Sequence, residues 1–226
     1  MDSTNSSYRP GHRTRLREKF LQNKLADYEL LELLLSYSIP RVDVKPLSRQ
    51  LLNTYGGLHQ ILSAPIKSLI SNKGIKENTA VLIKLIYQIM ILDYKNHMDS
   101  TPIFHDYKKL SEYCKLLLSG KKIEEFHILY LDDNYRLLSD DLHSSGTIDW
   151  AAVYTREIVK RALEINAHSV VLLHNHPISG KSFSTEDIEI TSSVKNILSG
   201  VGIQLFDHLL VSGDIVYSAK NMFLIK

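Results

Sequence analysis

The spacing of apolar residues changes near the middle of the chain, and this change limits the folds that the chain can adopt. From about Ala26 to Asp93, apolar residues recur with helical spacing, and Pro40 and the pair Gly56-Gly57 mark helix ends. From residue 107 onward, short apolar runs typical of strands alternate with amphipathic helices. The pattern predicts an α+β protein in which a small all-α domain precedes a domain of mixed α/β type.

Composition and proline placement divide the chain into four segments. Residues 1–24 are polar and basic and are expected to form a flexible or partly helical arm. Residues 25–95 are the predicted helical domain, and residues 96–106, which contain Pro102 and lack periodicity, are the predicted linker. The second domain is predicted to occupy residues 107–226.

The same spacing predicts individual elements. In the helical domain, Asp27 is the predicted N-cap of the first helix, and the last helix is expected to run from Glu77 to about Asp93. In the second domain, the run SVVLL at 169–173 predicts a central strand that is covered on both faces. The other predicted elements are a helix at 107–118, a strand at 126–132, a strand and loop from Arg136, helices at 156–167 and from Ser184 to about Ser199, and two closing strands joined at Gly213.

The composition excludes several kinds of protein and site. The single cysteine, Cys114, rules out an intramolecular disulfide and a multi-thiolate metal site, so a metal must be held by His, Asp or Glu. The longest apolar stretch, residues 80–92, is too short to span a bilayer, and the N-terminus lacks the apolar core of a secretory signal. We therefore expect a cytoplasmic protein without a membrane partner.

The segment LLHNHPISGKSFSTED at 172–187 contains residues from which a metal site can be built. His174 and His176 leave the end of the buried strand, and strand alternation points both side chains to the same side. Both rings can then reach one metal at about 2.0–2.1 Å, and neutral histidine suits zinc. Asp187, in the first turn of the next helix, is the natural third ligand. We therefore predict one zinc ion per chain, with an open position for a water that it activates for hydrolysis.

Other interpretations of these residues remain open from the sequence. A His-x-His pair at a strand end also occurs in loops that bind no metal. The segment from Ser184 to Asp187 equally fits a helix capping box, in which the serine and the acidic residue satisfy backbone donors. The capping and metal-binding interpretations are compatible with each other.

The pattern H-x-H, seven residues, S-x-x-D has the spacing found in the JAMM (MPN-type) zinc metalloproteases. More closely, residues 108–226 resemble the RadC (UPF0758-like) family, a bacterial branch of that group, through GTIDWAAVYTREIVKRALEINAHSVVLLHNHPISG and GIQLFDHLLVSG. The resemblance implies an α/β/α sandwich with a mixed sheet and a cytidine-deaminase-like architecture, and zinc-dependent cleavage of a peptide or isopeptide bond. Two positions depart from the family pattern, because Ile178 interrupts the usual Pro-Ser-Gly and Phe183 stands where proline is usual. Both departures leave the presumed ligands intact.

The resemblance also implies two catalytic residues. A glutamate is expected at the start of the strand before the motif, where it takes a proton from the attacking water and returns it to the leaving amine. Glu125, immediately before Phe126, is the best match, and Glu124 is the competing choice. Ser184 is expected to donate a hydrogen bond to the oxyanion of the tetrahedral intermediate.

Three further histidines are assigned from the sequence. The charged pair Asp207-His208 interrupts an apolar strand, and we expect it to support the fold or to orient a ligand, although zinc ligation by His208 is an alternative. His127 and His143 are assigned to surface or strand-face positions without a special role.

The N-terminal half resembles the helical domain that precedes the catalytic domain in the RadC family. It contains a turn like that of a helix-hairpin-helix at LISNKGIKENTA (69–80), although Lys76 replaces the usual second glycine. Such hairpins present backbone N–H groups to phosphates. Residues 1–100 carry 14 Lys and Arg against 9 Asp and Glu, which is compatible with non-specific DNA binding. A helical domain that docks other partners, or a solvated surface, fits the same residues.

The sequence therefore supports two functions. The first is a zinc-dependent hydrolase of peptide or isopeptide bonds. The second is a DNA-repair or DNA-binding accessory protein in which zinc is structural or regulatory. A zinc nucleobase deaminase is excluded, because its Pro-Cys-x-x-Cys motif needs more cysteines than the chain has.

Overall fold

The computed structural model describes residues 11–100, 107–146, 155–178 and 182–224. The chain divides into two compact units, Met1–Ile89 and Met90–Lys226. The start of the predicted arm, residues 101–106 of the predicted linker and the loop around Gly180 lie outside the described residues.

The first unit is helical throughout its described part, as the apolar spacing predicts. Its core consists of leucine and isoleucine side chains that are fully buried, among them Leu31, Leu51 and Ile83. Its helices are α1 (His12–Leu21), α2 (Asp27–Ser38), α3 (Lys45–Tyr55), α4 (Leu58–Ser63), α5 (Ile66–Ile70) and the first part of α6 (Glu77–Ser100).

Helix α1 lies in the segment predicted to be a flexible or partly helical arm, and residues 12–21 form a helical part of it. Leu16 of α1 is buried. The last carbonyl groups of a helix have no partner within it. The Arg13 guanidinium donates hydrogen bonds to the carbonyl oxygens of Ser36 (3.0 Å) and Ile39 (2.9 Å), and so caps the carboxyl end of α2. Helix α1 is therefore held by apolar burial and by polar contacts to α2, which also include His12 to Glu32 (2.6 Å) and Lys19 to Glu29 (2.8 Å).

Two helix ends differ from the prediction. The N-cap of α2 is Ala26 instead of Asp27, and the Ala26 N–H donates to the Glu29 carboxylate at 3.2 Å. Helix α6 was expected to end near Asp93 but continues to Ser100, through the first part of the predicted linker. The polar residues after Asp93 are compatible with a helix, and no proline occurs before Pro102.

The turn between α5 and α6 has the expected hairpin form. Gly74 has a φ of +99°, a conformation that favours glycine, and a Cβ there would lie 3.3 Å from the Leu47 side chain. Ile75 is buried, whereas Lys73 and Lys76 are exposed. DNA binding by this turn stays a prediction.

The second unit is a three-layer α/β/α structure around a five-stranded mixed sheet, as predicted. The strand order is β2-β1-β3-β4-β5, and only the β3–β4 pairing is parallel. Helix α7 packs on one face of the sheet, and α8 and α9 pack on the other. Its elements after α6 are α7 (Tyr107–Leu118), β1 (Glu125–Leu131), β2 (Leu137–Ser145), α8 (Thr155–Glu164), β3 (Ser169–His176), α9 (Thr185–Gly200), β4 (Gln204–Ser212) and β5 (Ile215–Ser218).

Among the described residues, no helix combines the length and the apolar character that crossing a membrane requires.

We predict that Leu16→Ala lowers the free energy of unfolding by about 2–5 kcal/mol, because it leaves a cavity beneath α1. Leu21→Ala is the matched control, since Leu21 lies in the same helix with 81% of its surface exposed. The control should change stability by less than about 0.5 kcal/mol. Urea denaturation followed by circular dichroism measures both variants, and equal effects would contradict the packing of α1.

Candidate metal centre

The two histidines of the motif lie within the central strand of the sheet. The predicted strand ended at residue 173, but β3 continues through His176 and pairs with β1 on one side and β4 on the other. Alternation places His174 and His176 on the same face as Val170 and Leu172, which pack against α8 and α9. His174 is fully buried, and the His176 side chain is 11% exposed.

Asp187 comes from the first turn of α9, which lies over the same face. Ser184 is the N-cap of this helix, and its Oγ accepts a hydrogen bond from the Asp187 N–H at 3.1 Å. The Ser184 N–H donates to Asp187 Oδ2 at 2.7 Å. The capping box and the placement of Asp187 beside the histidines are therefore one structure, because the box turns the carboxylate towards β3.

The structure brings together the three residues predicted to bind zinc. His174 Nε2 lies 3.2 Å from both His176 Nε2 and Asp187 Oδ1, and His176 Nε2 lies 3.4 Å from Asp187 Oδ2. Two ligand atoms at about 2.0–2.1 Å from one zinc ion, at the tetrahedral angle, lie roughly 3.3–3.4 Å apart. The observed separations fit a single ion, and zinc binding itself stays a prediction.

The charge state of this cluster also suits a cation. Burial opposes ionisation of Asp187, but the nearby imidazoles of His174 and His176 hold the pKa of its carboxyl well below its usual value. Within the described residues, the fully buried Asp187 Oδ1 has no hydrogen-bond partner. Burial lowers the pKa of His174 and so favours the neutral ring that a metal requires. The site thus holds a buried carboxylate oxygen without a hydrogen-bond partner in the described residues, beside the neutral ring of His174.

The structure separates the two candidate glutamates, and the choice of Glu125 is corrected. Phe126 pairs with His174 across the strands, so these two side chains share a face of the sheet. Glu125 lies one residue before Phe126, and its side chain therefore points to the opposite face. Glu124 lies two residues before Phe126, on the histidine face, and its charge raises the pKa of His174. Of the two, Glu124 is therefore the carboxylate placed to act at the cluster.

Glu125 instead belongs to a buried polar network on the other face, which also corrects the assignment of His127. The His127 ring, only 6% exposed, bonds to Asp140 Oδ1 at 2.8 Å and to Glu125 Oε2 at 3.2 Å. Lys121 contacts the same Glu125 oxygen, and the Tyr113 hydroxyl donates to Asp140. Neither Glu125 nor His127 is free to serve the metal cluster.

His208 contacts one of the cluster histidines, in agreement with its expected orienting role. Its Nε2 lies 2.9 Å from His174 Nδ1, and its Nδ1 lies 2.6 Å from Thr191 Oγ1. Asp207 has a separate, structural role, since its carboxylate accepts hydrogen bonds from the His208 N–H (2.7 Å) and the Ser218 hydroxyl (2.6 Å). This arrangement ties β4 to β5.

Sequence reasoning missed two residues of this region. Thr191 follows Asp187 by four positions, a spacing that puts both side chains on one face of α9 and could have identified it. The Phe183 ring lies edge-on to His208 and tilted to His174, with centroids 5.1 and 6.0 Å away. The residue that departs from the family pattern therefore covers the buried side of the histidines.

His143 was expected at a surface or strand-face position, and it lies on strand β2, half-buried. Its ring lies edge-on to Phe126, with centroids 5.9 Å apart, and burial lowers its pKa. The register shift between β1 and β2 at this point is a bulge, which re-aims the side chain.

The network around His127 predicts a pH-dependent contribution to stability. Burial opposes protonation of His127, but Asp140 and Glu125 hold its pKa above 6.5. The contribution of protonated His127 to the free energy of unfolding is therefore complete below pH 6.5 and is lost as the pH rises through the raised pKa. The hydrogen bonds of His127 hold the pKa of Glu125 below 4.5 and that of Asp140 below 3.8 despite burial. The contributions of these two carboxylates to the free energy of unfolding are complete above pH 4.5 and are lost as the pH falls.

We therefore expect His127→Gln to lower the free energy of unfolding most between pH 4.5 and 6.5, by about 1–3 kcal/mol. The difference from wild type should shrink at higher pH. Urea denaturation over a pH series, with a chelator present, measures it. His168→Gln, at an exposed histidine, is the control and should give a small effect at every pH. A pH-independent difference for His127→Gln would rule out the charged network.

Comparison with known proteins agrees with this geometry and confirms the resemblance seen in the sequence. Residues 104–223 match the family described as RadC-like JAB domain, and residues 10–81 match the family described as UPF0758 N-terminal. The chain is 37% identical over 217 residues to a UPF0758 protein of Ruegeria pomeroyi, an alignment that covers 95% of this chain and 97% of that protein. The chain therefore belongs to the RadC-like (UPF0758) family, and its second unit is a JAB (MPN-type) domain.

Proposed function

We propose that the second unit is a zinc-dependent hydrolase of peptide or isopeptide bonds, in which His174, His176 and Asp187 hold the metal. One observation carries the proposal. Two imidazole nitrogens from β3 and the two carboxylate oxygens of Asp187 from α9 converge with contacts of 3.2–3.4 Å between the three side chains, and the buried Asp187 Oδ1 among them has no hydrogen-bond partner within the described residues. Membership of a JAB-domain family supports the same chemistry. A bound zinc ion supplies Lewis acidity and acidifies a coordinated water.

The side from which substrate reaches the site follows from burial. His174 and Asp187 are fully buried, whereas the His176 side chain is 11% exposed. Among the three proposed ligands, only His176 thus borders solvent, so a substrate would approach the cluster from its side. This arrangement suits a catalytic site, because a structural zinc site is closed by a fourth protein ligand.

Glu124 is the proposed general base. Alternation from Phe126, which pairs with His174, puts it on the side of the histidines, and its charge raises the pKa of His174. A carboxylate in this position takes the proton of the attacking water and delivers it to the leaving amine. This assignment replaces Glu125, whose carboxylate is engaged by Lys121 and His127 on the other face.

Ser184 is proposed to stabilise the oxyanion. Its Oγ accepts the Asp187 N–H, so the cap uses an oxygen lone pair and not the hydroxyl proton. The half-buried hydroxyl can therefore donate to a substrate oxygen while the cap remains intact.

Neighbouring glutamates provide a matched test. We expect Glu124→Gln to keep its zinc and to lower kcat by about 10²–10⁴, because it removes the proton acceptor. Glu125→Gln should leave kcat within a few-fold of wild type. The assay uses two fluorogenic panels, one of linear peptides and one of branched peptides joined through a lysine side chain, with zinc content measured on the same samples.

Two outcomes would contradict the proposal. The first is a wild-type protein that holds zinc and cuts neither panel. The second is Glu124→Gln with zinc retained and activity unchanged. Either outcome would favour the alternative function, a DNA-binding accessory protein whose zinc site is structural or regulatory.

A further inference from the structure

We propose that Thr191 and His208 are positioning residues that fix which ring nitrogen of His174 carries the proton, and so present the Nε2 lone pair of His174 to the metal. The inference rests on the proposed function and deepens it, because it assigns roles to two residues outside the ligand set. It depends on the direction of a buried chain of hydrogen bonds.

The chain has three links and runs from α9 to β4 to β3. Thr191 Oγ1 contacts the carbonyl oxygen of Asp187, one turn earlier in α9. The same Oγ1 lies 2.6 Å from His208 Nδ1. His208 Nε2 lies 2.9 Å from His174 Nδ1. His174 and His208 are fully buried and Thr191 is 2% exposed, so water does not replace any link.

The direction of the chain is set at its first link. A carbonyl oxygen only accepts, so the single proton of the Thr191 hydroxyl is donated to the Asp187 carbonyl. Thr191 Oγ1 must then accept from His208, which places a proton on His208 Nδ1. A neutral imidazole has one N–H and one lone pair, so His208 Nε2 accepts from His174. The proton of His174 therefore lies on Nδ1, and its Nε2 carries the lone pair.

This outcome explains the unpartnered carboxylate oxygen in the cluster. His174 Nε2 and Asp187 Oδ1 lie 3.2 Å apart, and within the described residues this oxygen has no assigned hydrogen-bond partner. If Nε2 has no proton, two lone pairs face each other at that distance. A cation between them converts the repulsion into coordination. The chain of hydrogen bonds thus leaves the His174 Nε2 lone pair available to a metal in the metal-free protein.

Packing holds the relay histidine in place. The rings of Phe183 and Phe126 lie edge-on to His208, at centroid distances of 5.1 and 6.3 Å. Its backbone N–H is bonded to Asp207. These contacts hold the imidazole between Thr191 and His174, so loss of the Thr191 hydroxyl leaves His208 Nδ1 beside an apolar group.

The direct test reads the ring protons in the full-length protein. Long-range ¹H–¹⁵N spectra of ¹⁵N-histidine-labelled, metal-free wild type report which nitrogen of each ring is protonated. We expect His174 and His208 both to carry the proton on Nδ1. In Thr191→Val, which keeps the shape and removes the hydroxyl, His208 should shift towards the Nε2–H form. A wild-type protein with His208 protonated on Nε2 would overturn the proposal.

Zinc affinity gives a second, independent readout. Competition with a chromogenic chelator should show zinc binding weakened about 10–100-fold in Thr191→Val, the usual effect of removing a partner of a metal-bound histidine. Thr191→Ser restores the hydroxyl and should return the affinity to within about threefold of wild type. Ser192→Ala is the matched control, because exposed Ser192 makes the same kind of bond to the Ile188 carbonyl, at 3.0 Å, on the outer side of α9.

The outcomes separate this inference from the proposed function. Normal zinc affinity and an unchanged His208 tautomer in folded Thr191→Val would overturn the relay and leave the hydrolase intact. A zinc-binding wild type with the expected tautomers that cuts no substrate would overturn the hydrolase and leave the relay. Failure of wild type to bind zinc would overturn both.

Discussion

A buried carboxylate flanked by two imidazoles is the interaction on which the second unit depends. Asp187 is fully buried, and one of its oxygens has no hydrogen-bond partner in the described part of the chain. A charge without adequate compensation costs several kcal/mol in such a place. The cost is acceptable if a divalent cation shares the site, because the cation balances the carboxylate and coordinates both imidazoles. The burial of Asp187 is thus evidence of a ligand, and not of a stabilising ion pair alone.

The sheet supplies the rigidity that such a site needs. His174 and His176 lie on a strand with partners on both sides, so neither backbone can shift without breaking ladder hydrogen bonds. Asn175, between them, points to the opposite face, where its amide oxygen accepts the Glu125 N–H at 2.8 Å and its amide nitrogen donates to the Ile123 carbonyl at 3.1 Å. The outer residues of the His-Asn-His segment therefore belong to the proposed metal cluster, and its middle residue anchors the start of β1.

Much of this arrangement could be predicted from the sequence, because the relevant signals are local. Helical spacing predicted the helices of the first unit, and strand alternation placed His174 and His176 on one side. The capping pattern placed Asp187 at a helix start. These predictions agree with the structure because each depends on periodicity or on a few neighbouring residues.

The errors arose where a local signal was absent. Strand β1 is buried on both faces, so its residues show no apolar alternation that reveals which face each side chain occupies. The neighbours Glu124 and Glu125 point to opposite faces of the sheet, and the sequence could not decide between them. The same lack of alternation hid the burial of His127. The bounds of helix α1 were not predicted, because its segment is mostly polar and contacts such as the bond from Arg13 to the Ser36 carbonyl oxygen join residues distant in the sequence. The contact between His208 and His174 joins residues 34 positions apart, and no local pattern predicts it.

Zinc content is the most direct measure of the central claim. Protein purified without added metal should contain about one zinc per chain by mass spectrometry, as a three-ligand protein site predicts. Asp187→Asn keeps the size of the side chain and removes its charge, and it should lose most of that zinc while remaining folded. If Asp187→Asn retains a full equivalent of zinc, or if wild type contains none after refolding with zinc, then the cluster of His174, His176 and Asp187 is not a metal site.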